Sequence, residues 1–170
     1  MTKKDSSRIA GFRAAYVFDV SQTDGQELPQ IGAVQGDAHS HTDGLRKFAA
    51  AQNIEIEYSE DIAPARGTSY GGRIALLPGQ SSAEEFSTLV HELAHELLHR
   101  GDRREQTSRK VRETEAEATA FVVCHAIGLE TGSAATDYIQ LWNGDKETLT
   151  DSLTYIQKAA SQMLAALTDS

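Results

Sequence analysis

His91-Glu92-Leu93-Ala94-His95 is the stretch of this sequence best equipped for chemistry. Four residues advance a helix by slightly more than one turn, so the two imidazoles project from the same side. Rings placed that way can share one tetrahedral metal ion. Glu92 stands beside the first ring, where its carboxylate can act on a water at the metal without being a ligand. His-Glu-x-x-His is the spacing of a zinc-hydrolase helix. Leu89, Val90, Leu93, Ala94, Leu97 and Leu98 supply apolar positions at helical intervals, which puts the motif on a half-buried helix. The plain alternative is an amphipathic helix with His on its wet face. A third ligand is what separates the two.

A catalytic zinc takes three protein ligands and keeps one position open. Position 101 is Gly, so the third His of the extended pattern His-Glu-x-x-His-x-x-Gly-x-x-His is absent. His99 repeats the four-residue step but lies about another turn along the axis. It is expected to support a ligand or face solvent. A second stretch, Arg112-Glu113-Thr114-Glu115-Ala116-Glu117-Ala118, offers three carboxylates. Acidic runs are ordinarily solvated faces. This one begins eighteen residues after His95, a workable helix–loop–helix return, and leads into the apolar Ala120-Phe121-Val122-Val123. Small Ala116, Ala118 and Ala120 permit close packing on the His helix. Glu113 and Glu117 share a face, and Glu115 points nearly opposite. One of the pair is expected to bind metal and the other to hydrogen-bond a ligating His from behind. Periodicity leaves open which.

The elements that must position these residues read as α+β: a small, mostly antiparallel sheet, then a helical bundle. Residues 1–11 form an expected flexible lead-in, and 12–170 a single domain. Phe12 to Val20 reads as a strand, Thr23-Asp24-Gly25 as a turn, and residues 30–37 as a loop that continues through His39 and His41. That His pair is expected at the surface. Asp43 to Gln52 reads as a helix, and Ile54, Ile56 and Tyr58 alternate with Glu55 and Glu57 as a strand. Thr68 to Leu77 reads as a hairpin or bent strand ending at Pro78-Gly79. Tyr70 within it is a candidate oxyanion donor or substrate contact, packing at the hairpin being its simpler role. Ser82 with Glu85 is a candidate capping box for the His helix, which runs to about Arg100. A charged loop at 101–107 leads to a helix from Ser108 to Ile127. There His125 is expected to be an ordinary helix residue. A short helix at Ala134–Trp142 and a last one at Lys146–Leu167 follow. The last presents Leu149, Leu153, Ile156, Ala160, Met163, Leu164 and Leu167 on one side.

The charge balance disfavours a broad phosphate-binding face, with 25 acidic against 16 basic residues and a formal net charge of −9. Nucleic acid is therefore not an expected partner of this chain alone. A lone cysteine, Cys124, excludes an internal disulfide and a Cys-based zinc site and agrees with a reducing cytoplasm. No signal peptide or membrane-spanning run is expected.

Two resemblances sharpen the reading. A Glu followed four residues later by an acidic or amide residue resembles the second metal helix of the gluzincins, the thermolysin-like group. There the first residue is the ligand and the later one orients a ligand His. This implies Glu113 as ligand and Glu117 as orienter, with Glu115 as the fallback. The strings Thr88 to His99 and Glu113 to Cys124 together resemble the ImmA/IrrE-type metallopeptidases, and more closely the metallopeptidase half of ArdC-like antirestriction proteins of plasmids and phages. Val17 to Gly25 and Ala135 to Trp142 resemble the same half. The resemblance implies a zincin-like fold, one Zn²⁺ held by His91, His95 and Glu113, and Glu92 as the general base of a metallopeptidase. It further implies a protein substrate, such as a repressor or regulator. ArdC-like proteins carry a single-stranded-DNA-binding domain before this half. The present sequence begins near that junction and is expected to lack it. The alternative is a metal-bearing antirestriction or regulatory protein that acts by binding rather than cleavage.

Overall fold

The computed structural model describes residues 38–130 and 146–168. The expected lead-in, the strand, turn and loop before residue 38, and the helix at 134–142 lie outside the described residues. Helix α1 spans His39–Ala51. Strand β1 spans Glu55–Tyr58, and after a single 3-10 turn at Glu60–Ile62 come β2, Gly67–Ser69, and β3, Arg73–Leu76. The helices that follow are α2 at Ser82–Leu98, α3 at Asp102–Gln106, α4 at Arg109–Ala126 and α5 at Lys146–Thr168.

The class is α+β and zincin-like, as the sequence implied. Its sheet is mixed where a mostly antiparallel one was expected. The strand order is β1-β3-β2, with β1 parallel and β2 antiparallel to β3. The cause is the connector from 59 to 66. It leaves β1 at Tyr58, opposite Leu76, and enters β2 at Gly67, opposite Leu76 again. The chain thus passes the end of the central position before the hairpin fills it. Strand β3, which directly precedes α2, is central, and among the described residues the edge beside α2 is β2.

Helix α2 is the element on which the others pack. Ala83, Phe86, Leu89, Val90, Leu93 and Ala94 are buried, at the intervals of a helical stripe. The sheet and α1 lie against it, as do α4 and α5. Its start differs from the expected one by one residue. Ser81 is the cap, and Ser81 with Glu84 forms the capping box. Ser82 instead accepts the amide of Ala38, and Glu85 accepts from Arg46 and Tyr58. Two Ser-x-x-Glu frames overlap here, and contacts from α1 and β1 select between them.

Other boundaries shift for similar reasons. Helix α1 begins at His39, so His39 and His41 lie in a helix rather than a loop. The hydroxyl of Thr42 returns to the carbonyl of Ala38 and helps close that first turn. Residues 102–106, expected as loop, form α3. Gly101 opens it at φ 55, and Thr107 closes it with a hydroxyl bond to the Arg103 carbonyl. On α5, Ile156, Ala160 and Met163 enter the core, while Leu153 is exposed and Ser152 is buried. Buried Ala116 and Ala120 let α4 approach α2 closely.

Candidate metal centre

The two central helices lie side by side in opposite directions. As α2 advances from His91 to His95, the facing residue on α4 falls from Glu117 to Glu113. Nε2 of His91 and Nε2 of His95 are 3.1 Å apart. Each is 3.7 Å from Oε2 of Glu113. Ligand atoms of these three residues all lie within 4.8 Å of one another, and no other such cluster occurs among the described residues. Oε2 of Glu117 approaches the opposite nitrogen of His91, Nδ1, at 3.3 Å.

His99 is neither a surface residue nor a member of the triad. It is 2 % exposed. Its Nδ1 lies 2.9 Å from Nδ1 of His95, and its Nε2 lies 2.9 Å from Oε2 of Glu115. Glu115 accepts from Arg103 on its other oxygen, at 2.8 Å. The fallback ligand of the sequence reading is therefore engaged behind the site.

Glu92 is buried at the contact between α2 and β2. Burial raises its carboxyl above the ordinary range, against the opposing charge of His91 and hydrogen bonding from Ser69. A Cβ at Gly67 would lie 2.6 Å from Thr88 Cγ2 and 2.8 Å from Glu92 Cγ. Gly67 is thus the residue that lets the edge strand close on Glu92. Tyr70 stands on the hairpin turn, 52 % exposed, with the Arg73 guanidinium 4.7 Å above its ring. His125 is exposed and stacked on Phe121.

Charge at the centre is strongly coupled. Burial pushes His91 down, but Glu113, Glu117 and Glu92 outweigh it and bring the ring to about 9. Burial and the charge of His91 together lower His95 to about 4. Glu113 falls to about 2, through the His91 ring against it, in spite of burial, with His95 and Arg109 adding to the effect. Two facing nitrogens this close cannot both hold protons, so a proton on either Nε2 disfavours one on the other. Two imidazoles and a carboxylate converging on one point are the donor set of a catalytic zinc site. The residues present fit such an ion.

Sequence reasoning missed Glu96. It is 2 % exposed, and its two oxygens accept the backbone amides of Gly71 and Gly72, each at 2.7 Å. Arg100 donates to the same carboxylate from Nε at 2.7 Å. Both glycines have positive φ, 80° and 108°, which turns successive N–H groups toward one anion. The Gly-Gly pair signalled the turn, but no local pattern named its partner. A cleft of about 230 Å³ runs past His91, Glu92, Glu117, Gly67, Thr88 and Arg66.

The IrrE N-terminal-like domain family, peptidase family M78, matches residues 49–134. An uncharacterized protein of Bacillus anthracis is 28 % identical over 175 residues, an alignment covering 88 % of this chain and 30 % of that protein. Among solved structures, the Mn(II)-bound antirestriction ArdC protein from the R388 plasmid superposes with a TM-score of 0.53 at 22 % identity, over 88 % of this chain and 61 % of that one. The chain therefore spans less than two thirds of either protein. Among the described residues no helix is long and apolar enough to cross a membrane.

Proposed function

This chain belongs to the IrrE N-terminal-like domain family, a metallopeptidase-type family, and on that premise we propose that it is a zinc-dependent endopeptidase acting on a protein substrate. The observation that carries the reading is the convergence of His91, His95 and Glu113 within 4.8 Å, with Glu92 buried next to His91 on the same helix. His91, His95 and Glu113 would hold the ion. Zinc is the choice for two imidazoles and a carboxylate, whereas manganese, which the ArdC structure contains, leans to oxygen-rich sites. When bound, the ion supplies Lewis acidity toward a carbonyl and a water.

The chain's own residues supply the rest. Glu92, with its carboxyl raised by burial, accepts the proton of the attacking water and returns it to the leaving amine. Ser69 holds that carboxylate against the edge strand. Glu117 orients His91 through Nδ1. The cleft beside Gly67 and Thr88 takes the peptide, and Tyr70 contacts the substrate from the turn. The excess of acidic residues supports a protein partner over nucleic acid, and a buried free Cys124 agrees with a cytoplasmic setting.

The likeness to an antirestriction protein favours a second reading, in which the metal centre is kept but the effect comes from binding a host enzyme or regulator. Glu92→Gln separates the two. Endopeptidase action requires that the variant retain zinc and lose cleavage of candidate regulator proteins. A variant that keeps the full biological effect would establish the binding reading instead.

A further inference from the structure

We infer that His99 and Glu115 act as positioning residues that fix which nitrogen of His95 is free to bind metal. The inference rests on the metal-centre reading above and extends it to two buried residues that touch no ligand atom of the triad. His95 Nδ1, His99 Nδ1, His99 Nε2 and Glu115 Oε2 form one continuous line, with both gaps at 2.9 Å. His99 is 2 % exposed and Glu115 1 %. No solvent competes for these contacts.

Donor and acceptor roles follow from the two ends. A carboxylate only accepts. Its other oxygen is held by Arg103 at 2.8 Å, which keeps Oε2 turned to His99. His99 must therefore carry its proton on Nε2. A neutral ring protonated there presents a lone pair at Nδ1. His95 then donates from its own Nδ1, which leaves the Nε2 lone pair pointing at His91 and Glu113. Reading from the metal end gives the same order, because Nε2 of His95 is the atom in the triad. The carboxylate end places the proton of His99, the metal end places that of His95, and the Nδ1–Nδ1 contact accommodates both.

The geometry also explains why an imidazole intervenes. Glu117 reaches His91 directly at 3.3 Å. Glu115 lies two positions away on α4, roughly 200° around the helix from Glu113 and from Glu117. It meets α2 one turn beyond His95, at His99, whose ring spans the gap. Alternate glutamates of α4 thus serve three purposes: one for the metal, and one behind each ligand His. His99 is excluded as a ligand to the same ion because it faces the back of His95.

Long-range ¹⁵N–¹H NMR of the zinc-loaded chain reads the tautomers directly. The expected result is Nδ1–H for His95 and Nε2–H for His99. An Nδ1–H proton on His99 would overturn the relay. In parallel, His99→Phe is expected to weaken zinc binding roughly 10- to 100-fold in chelator competition. A folded His99→Phe chain with unchanged affinity would also overturn it, and if that variant does not fold the tautomers decide alone. An unmodified chain that binds no zinc fails the metal centre itself, whereas one that binds zinc with the opposite His99 tautomer fails only the relay.

Discussion

Gly67 and Glu92 are in such close register that a single methyl group cannot be placed between them. A Cβ on Gly67 would stand 2.8 Å from Cγ of Glu92 and 2.6 Å from Thr88 Cγ2. Strand β2 therefore lies on α2 at a separation that only glycine allows. Gly67→Ala forces one of the two elements to move. Overpacking of this kind costs about 1–3 kcal/mol, which exceeds the unfolded-state gain of up to about 1 kcal/mol from replacing glycine. The expected variant has a lower urea midpoint and full zinc content, since no ligand is touched. Its hydrolysis falls by on the order of 100-fold if Glu92 is displaced by about 1 Å. Equal loss of zinc and activity would show that the strand supports the ligands rather than the base.

Glu96 is expected to hold the same strand from its other end. Gln at this position keeps one acceptor oxygen and turns an NH₂ group toward the second glycine amide. One N–H of this half-exposed turn then exchanges its carboxylate acceptor for water, at a cost of about 0.5–1.5 kcal/mol. Glu96→Gln should lower stability by that amount in urea unfolding. It should also speed hydrogen exchange at Gly71 and Gly72 above that of the α2 amides. Unchanged exchange at the turn would mean that the hairpin holds its shape unaided.

The roles of the α4 glutamates separate by zinc content. Glu113→Gln removes the only carboxylate of the triad and should reduce zinc to well under one per chain after gel filtration. Glu117→Gln should retain stoichiometric zinc but release it to chelator roughly 10- to 100-fold more readily. Reversed results would exchange ligand and orienter. Both His91→Ala and His95→Ala should abolish binding.

What could be read from the sequence was local or periodic. His91, Glu92 and His95 follow from a four-residue interval, and the pairing of Glu113 with Glu117 from the same interval on the next long helix. Helices α4 and α5 came within a residue or two because caps and apolar stripes mark them. What could not be read depends on contacts across the chain. Glu96 is one acidic residue beside a motif until Gly71 and Gly72 fold over it. On isolated helices His99 lies a turn beyond His95 and Glu115 points away from Glu113, and only the packing of α2 on α4 joins them. Ser81 and Ser82 both fit a cap, and Arg46, Tyr58 and Ala38 decide between them. The mixed sheet follows from where the connector at 59–66 crosses, which strand periodicity does not encode.

Acid sensitivity offers a test of the Glu115 network. Burial pushes the Glu115 carboxyl upward, but hydrogen bonds from His99, Arg103 and Ser152 outweigh it and hold the group at about 2, from an ordinary 4.5. A carboxyl whose folded pKa is depressed contributes stability above its unfolded pKa and loses it as the pH falls toward the folded value. A shift of this size corresponds to roughly 3 kcal/mol, fully present above pH 4.5 and gone below about 2. Urea unfolding of the metal-free chain, compared with Glu115→Gln from pH 7 to pH 2, isolates the effect. The titrations of His91 and His95 occur in both proteins and largely cancel in the difference. The stability gap should be flat from neutral pH to about 5, then narrow by about 1.4 kcal/mol per pH unit on further acidification. A gap that stays constant to pH 2 would mean that Glu115 does not exchange a proton differently in the folded and unfolded chain. The cost of burying the carboxylate would then offset the contacts from Arg103 and His99.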